Sequence, residues 1–519
     1  MPKTKKRIHI ELFAGCGGMA IGMEAAGFSL VFANEVSPMA SATFAHNLLG
    51  VDISEPNEKV KWIHSRFPIS EYSNRLRENL LSDAYGKNNE LDFLSNLSNI
   101  NNTLLVGDVR KLKEQLDKND IKDPYQAKLD LLSGGPPCQS FSLAGKREFH
   151  NYKNRLPLDF AEVCVRLNPK VVLLENVKGI LSAFKLGDKK HYSWFEVAKA
   201  FASNGFAPVC MLLNSKYFGV AQNRPRYIML AFRKDIFEKL LKNIPNNLVL
   251  EKVSSFMEKA VADFENLDVS DLDYYDIERE TNLFDGKVLP KPLTQERKDW
   301  ISVKDAIDDL ISEDSRNKSE YVKHINDLFK SASADENIKL INQNIRKHSE
   351  TTQKRFLFYQ ILNHTNGIGE SIMVKKKNYT RISEVEIKSL YSDLRSSLKE
   401  FDSIFKSLSE FKKFISEITL TKKHSQRALN SSLPSPAQLT IPDDICHYSL
   451  TENRVLTVRE MARIQSFPDN FVFKSKETTG GKNRSYEVPQ YTQVGNAVPP
   501  LLAYALGNHV NNILTLIGE

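Results

Sequence analysis

Cysteine is scarce in this chain: five in 519 residues, an odd number, scattered, with no Cys-x-x-Cys pair. That spacing argues against a structural zinc site and a disulfide framework, and predicts a reducing compartment. No apolar run is long enough to cross a bilayer. The start is basic, but Ile8-His9-Ile10 runs directly into a polar turn, so no secretory leader is predicted and a cytoplasmic location is expected. A strong excess of one charge is also missing. The 71 basic residues against 64 acidic ones leave a net +7, which is compatible with nucleic acid without demanding it. Hydrophobic content of 41% and charged content of 26% fit a globular protein, and the length suggests more than one domain.

What is present first is alternation. Through residue 234, short apolar runs alternate with amphipathic segments, the pattern of an α/β sheet. Strands are predicted at 8–13, 30–33, 103–106, 129–132, 171–174, 207–213 and 227–232, with helices over 19–26, 39–48, 156–167 and 194–204. Residues 51–102 are polar and rich in Asn and Ser, and read as an insertion at the sheet's edge. Beyond Lys234 the character changes to charged helical stretches, with an acidic patch over 263–280. Within 383–418, Leu390, Leu394, Leu398, Phe401, Phe405, Leu408, Phe411 and Phe414 recur at helical spacing. They predict a helix packed within its own domain rather than a partner-binding zipper. Apolar runs flanked by Gly and Pro return from Val455, and the chain closes on an apolar helix. The expected division is 1–234, a separate domain over 235–450, and 451–519 returning to complete the first.

The stretch Gly134-Gly135-Pro136-Pro137-Cys138-Gln139-Ser140-Phe141-Ser142 follows a strand and delivers one cysteine from a rigid corner. Each proline fixes its own φ and biases the residue before it toward extended geometry. A fixed, accessible thiol at a strand end suits nucleophilic chemistry, whereas Cys164 and Cys210 lie inside apolar runs and read as structural. Phe13-Ala14-Gly15-Cys16-Gly17-Gly18 joins the first strand to a helix, the geometry that brings a nucleotide-like ligand to the sheet edge. It lacks the glycine spacing of a dinucleotide fingerprint, which disfavours a dehydrogenase. Glu35 ends the second strand, where a carboxylate can take ribose hydroxyls; Asp108 follows the third, within reach of an adenine amine. An adenosine ligand without a pyrophosphate fits this set better than NAD. Glu175-Asn176-Val177 follows a further strand beside the Cys138 loop and suggests general-acid assistance to attack on a ring; for Asn176 a helix N-cap is the plainer reading. Gln222-Asn223-Arg224-Pro225-Arg226 offers two arginines for a phosphate or a base carbonyl, or is a solvated turn.

Taken together, these residues resemble the DNA (cytosine-5)-methyltransferases of bacterial restriction–modification systems. The Phe-x-Gly-x-Gly-Gly opening, the Pro-Pro-Cys-Gln loop, the Glu-Asn-Val triplet and the Gln-x-Arg-x-Arg turn occur in that family's order. So do Arg459-Glu460-x-x-Arg463-x-Gln465-x-Phe467-Pro468 and Gly495-Asn496-Ala497-Val498-Pro499-Pro500. The resemblance implies the S-adenosylmethionine-dependent methyltransferase fold, a Rossmann-like mixed sheet of seven strands, with 235–450 as an inserted target-recognition domain. It implies base flipping in duplex DNA and covalent addition of Cys138 to C6, with Glu175, Arg224 and Arg226 completing the catalytic group. S-adenosyl-L-methionine is the implied methyl donor and S-adenosyl-L-homocysteine the product. Phe13, Gly15, Cys16, Gly17, Gly18, Glu35, Asp108, Val109, Pro136, Asn496 and Val498 are the expected cofactor residues.

Gln139, Ser142, Lys146 and Arg147 would lie on a loop closing over DNA, although loop lysines are commonly just solvated. Lys422, Lys423, Gln426 and Arg427 have the composition of a DNA-contacting segment; 375–381 has it too, or is an ordinary surface loop. No metal, a monomer, and a cognate endonuclease acting separately on the same site are expected. The competing readings are a cytosine-5 methyltransferase of tRNA, which shares these motifs but is compact where this chain carries its insertion, and a catalytically silent DNA-binding regulator, against which Cys138 and Glu175 speak.

Overall fold

The computed structural model describes residues 7–81, 90, 97, 100–137, 155–186, 189–311, 318–329, 340–365, 367–378, 380–421, 426–442 and 445–519. Cys138 and the loop through residue 154 lie outside them, as do Lys422 and Lys423.

All seven predicted strands form: β1 (Arg7–Leu12), β2 (Phe28–Glu35), β4 (Thr103–Val106), β5 (Leu131–Gly134), β6 (Val171–Val177), β7 (Phe206–Asn214) and β8 (Pro225–Arg233). Two further strands of three residues each, β3 (Val60–Trp62) and β9 (Tyr274–Asp276), lie at the two edges and raise the sheet to nine. The order is β9-β7-β8-β6-β5-β1-β2-β4-β3. All run parallel except β8, which is antiparallel to both neighbours. The central strands β5 and β6 are buried on both faces, as their continuous apolar sequence requires.

This topology decides where the chemistry goes. The parallel strands β1, β2, β4, β5 and β6 end on one edge, and the reversed β8 begins there. The glycine turn, Glu35, Asp108, the Pro-Pro corner, Glu175 and Arg226 therefore share one rim, as ligand sites of open α/β sheets do.

The chain's last helix, α2 (Pro500–Leu516), packs against α1 (Gly18–Ala25). Its Leu502, Leu506, Val510 and Ile513 belong to the same buried cluster as the sheet. Contact is close because a Cβ on Gly22 would come within 2.5 Å of Pro500 O and 2.6 Å of Ala503 Cβ. Residues 236–289 also contribute to the sheet's cluster, through Ile236, Phe256, Ile277 and Leu289.

A separate cluster is built on Phe356, Phe358, Leu390, Leu394, Phe401, Phe411 and Phe414. The apolar stripe over 383–418 supplies much of it but is not one helix. It breaks into Glu384–Ser397, Phe401–Ile404 and Leu408–Glu417. Ser407 caps the last of these by accepting from Glu410 N at 3.2 Å, and the breaks let the aromatic residues fold back on one another. No helix among the described residues is long and apolar enough to cross a membrane.

Candidate active site

The turn after β1 is wound by three left-handed residues, Phe13 at φ 57°, Gly15 at 57° and Gly17 at 98°. For Phe13 this conformation costs about 1–2 kcal/mol, and it is held by packing of its ring against Phe160 at 6.3 Å. Among the described residues nothing lies within 4 Å of the position a Gly15 Cβ would take, whereas a Cβ on Gly18 would meet Val498 O at 2.4 Å. The turn is therefore open at Gly15 and closed from behind by the C-terminal segment. Cys16 within it faces inward: its Sγ donates to Gln493 O at 3.7 Å, and burial pushes the thiol up to about 12. It packs rather than reacts.

Glu35 ties β2 to this turn. Oε2 accepts from Gly15 N at 2.9 Å and Oε1 from Ser37 N at 2.7 Å. Burial raises its pKa, opposed by those same N–H donors. Asp108, buried at the end of β4, caps the helix Val109–Lys118 by accepting from Arg110 N at 2.9 Å, and its carboxylate also holds the Arg110 guanidinium. Val109 is buried, Asn496 is exposed and Val498 is buried. A glycine cradle flanked by two buried acids fits an adenosyl group, whose hydroxyls and amine are donors to carboxylates.

On the neighbouring strands the rim carries Glu175. Its Oε1 pairs with Arg226 Nε at 2.8 Å, and Oε2 would lie 3.0 Å from a Cβ on Gly135. Gly134 registers with Leu174, so Gly135 faces Glu175, and the missing side chain lets the carboxylate stand against the main chain three residues before Cys138. Burial lowers the pKa of Arg226 and Glu175 acts against that. Asn176 does not cap a helix. Its Nδ2 donates to Pro136 O at 2.9 Å, which fixes the buried first proline of the corner to the strand that carries Glu175. In sequence only its place between Glu175 and Val177 signals this positioning contact.

Arg224, expected in the catalytic group, lies close enough to Arg226 and Glu175 to interact with both, and spends its hydrogen bonds on the chain's C-terminal segment. It is 1% exposed, and its Nη2 donates to Gly495 O at 2.7 Å and Ala497 O at 3.2 Å, while Nη1 reaches Gln222 Oε1 and Gln438 O, both at 3.3 Å. It binds the Gly-Asn-Ala-Val-Pro-Pro segment to the sheet, a positioning task. Gln465 extends the junction by donating to Val494 O at 2.7 Å and accepting from Gln222 Nε2 at 3.0 Å. Arg459 serves similarly, donating to Pro468 O and Phe471 O.

The expected DNA-contacting residues fare unevenly. Gln139, Ser142, Lys146, Arg147, Lys422 and Lys423 lie outside the described residues. Gln426 is buried and accepts from Thr421 Oγ1 at 2.6 Å and Tyr359 OH at 3.3 Å, so it supports the helical unit instead of facing solvent; Arg427 is exposed. In 375–381, Lys375 pairs with Glu386, and Lys376 donates to Ile415 O at 2.7 Å and Ile418 O at 3.1 Å. Those two lysines fasten helices together.

A model of the C-5 cytosine-specific DNA methylase family matches residues 8–69 and 88–512. Among curated relatives, the type II methyltransferase M.DdeI of Desulfomicrobium norvegicum is 24% identical over 97% of this chain and 88% of its own length. The type II methyltransferase M.XorII of Xanthomonas oryzae pv. oryzae is 24% identical over 98% and 85%. The orphan methyltransferase M.SPRI of Bacillus phage SPR is 37% identical over 25% of this chain and 29% of its own. With a sheet whose rim gathers the glycine turn, the two acids and the Glu175–Arg226 pair, and a family match over nearly its whole length, the chain belongs to the C-5 cytosine-specific DNA methylases and is a DNA (cytosine-5)-methyltransferase.

Proposed function

We propose that the protein methylates C5 of one cytosine within a specific duplex sequence, after flipping that base out of the helix. The observation that carries this is the Glu175 carboxylate, clamped by Arg226 at 2.8 Å against the glycine that leads into the Pro-Pro-Cys corner. Asn176 holds the carbonyl of Pro136, two residues before Cys138 in the chain, to the strand that carries Glu175.

Cys138, as thiolate, forms a bond to C6, and the displaced ring electrons make C5 nucleophilic while Glu175 delivers or shares a proton at N3. C5 takes the methyl group as the donor's carbon–sulfur bond breaks and the thioether S-adenosyl-L-homocysteine leaves; the C5 proton then passes to a base, and the Cys138–C6 bond breaks by elimination, returning the thiolate. Arg226 orients Glu175 and anchors the base. S-adenosyl-L-methionine, held by Phe13, Gly15, Gly17, Gly18, Glu35, Asp108, Val109, Pro136, Asn496 and Val498, supplies an electrophilic methyl group. The open position at Gly15 supports this choice, as do two buried carboxylates suited to hydroxyl and amine groups.

The recognition unit falls within 235–450, and the aromatic cluster around Phe401 is its independent core. Lys422, Lys423 and exposed Arg427 approach the duplex there, and Gln139, Ser142, Lys146 and Arg147 approach it from the catalytic side. Relatives named as type II methyltransferases favour protection of host DNA alongside a cognate endonuclease; a cytoplasmic location and action as a monomer complete the proposal. A solitary modification role is the second reading, favoured by the relative named as an orphan methyltransferase.

Incubation with methyl-labelled S-adenosylmethionine and either duplex DNA or tRNA tests the substrate. Label in DNA, mapped by bisulfite sequencing to one recurring sequence, is the expected result. Label confined to tRNA overturns the proposal.

A further inference from the structure

Asp108 receives the adenine amine in the reading above, yet its carboxylate is already engaged. Oδ1 accepts from Arg110 N at 2.9 Å and from Arg110 Nε at 3.1 Å; Oδ2 accepts from Nε at 3.0 Å and from Nη2. All four contacts come from one residue. The Asp108 side chain is 7% exposed and that of Arg110 34%, so the guanidinium stands on the solvent side of the carboxylate. An exocyclic amine is a donor, and so is a guanidinium at every nitrogen; the two compete for the same lone pairs.

We propose that Arg110 is a specificity-determining gate at the purine end of the methyl-donor site. Closed, its fork takes the acceptors that the 6-amino group of adenine requires. Binding of the donor slides the guanidinium along or off Asp108, and the free energy of that displacement is lost from donor affinity. The same fork offers hydrogen-bond donors to an oxygen at purine position 6, so the gate lowers the preference for adenine over a 6-oxo purine. This inference rests on the assignment of Asp108 to adenine, and its test separates the two.

Calorimetric titration of S-adenosyl-L-homocysteine and of S-inosyl-L-homocysteine, its 6-oxo analogue, is compared for wild type, Arg110→Met and Asp108→Ala. Misfolded protein lowers the stoichiometry in this assay and leaves the affinity of the remainder readable. For Arg110→Met the adenosyl ligand is expected to bind about three- to tenfold more tightly, the range for loss of a partly exposed, charge-assisted pair, while the inosyl ligand gains nothing. Unchanged or weaker adenosyl binding in Arg110→Met, or equal gains for both ligands, overturns the gate. Unchanged adenosyl binding in Asp108→Ala removes the adenine assignment itself, and the gate with it.

Discussion

Replacing Gly18 by alanine tests how the last segment of the chain closes the donor site. The new Cβ would fall 2.4 Å from Val498 O, 3.1 Å from Phe467 Cζ and 3.4 Å from Ala497 Cβ. A carbon–oxygen contact relaxes only near 3.2–3.5 Å, so roughly 1 Å must be found, and it must come from main chain, because Val498 leads directly into the helix Pro500–Leu516. Overpacking of this kind costs about 1–3 kcal/mol, while alanine in place of glycine in a helix returns at most about 1 kcal/mol. A net loss of about 1–2 kcal/mol in stability is expected. Donor affinity should fall about tenfold or more, since an ångström of misplacement at a binding site is felt strongly. Gly15→Ala provides the contrast: its Cβ meets none of the described residues within 4 Å, and its penalty is the left-handed backbone at φ 57°, about 1–2 kcal/mol. Urea unfolding of the ligand-free variants, with S-adenosylhomocysteine titration, reads both quantities. Wild-type stability together with wild-type affinity in Gly18→Ala would refute the closure argument.

Cys138→Ala should abolish methyl transfer while gel-shift binding of duplex DNA survives; persistent transfer contradicts the nucleophile assignment. Glu175→Gln should lower kcat by at least about 100-fold at unchanged melting temperature, since a positioned acid contributes on that order; a collapse of folding instead would make the Glu175–Arg226 pair structural. Cys16→Ser should leave thiol alkylation below pH 9 unaltered, because burial pushes that thiol up to about 12; loss of the fast-reacting thiol would mean that Cys16 is the reactive one. Burial lowers His509 to about 4 from 6.5, so the unfolded chain binds a proton that the folded one refuses, and stability is lost as pH falls through that window. His509→Gln should flatten the fall by about 1.4 kcal/mol per pH unit between 6.5 and 4, read from urea midpoints; an unchanged slope would contradict the burial of a neutral imidazole.

The catalytic half of the molecule was legible because its strands are continuous apolar runs and its rim residues follow them at once. The two edge strands were not. Val60–Trp62 is three residues inside a polar insertion, and Tyr274–Asp276 lies within an acidic patch, so neither carries a periodic signal. Helical spacing over 383–418 was real, but spacing does not reveal where Phe401 and Phe405 turn the chain back on itself. Gln426 and Lys376 show a more general difficulty. A polar or basic residue in a basic stretch reads as a contact for DNA until its partners are known, and here those partners are Tyr359, Thr421 and two helix-end carbonyls. Arg224 and Arg226 flank Pro225, the first residue of β8, and look equivalent in sequence. Only the position of Gly495, brought back from the chain's end, separates a staple from a partner of Glu175.

The central claim is attack by Cys138 on C6 of a flipped cytosine. DNA synthesised with fluorine at C5 of every cytosine needs no knowledge of the recognition sequence. Fluorine cannot leave as a proton does, so elimination is blocked after methyl transfer and the adduct persists. Incubation with S-adenosylmethionine followed by denaturing electrophoresis should show a one-to-one covalent complex, absent without the methyl donor and absent in Cys138→Ala. A complex that survives in Cys138→Ala, or none in an enzyme that methylates ordinary DNA, would contradict the account.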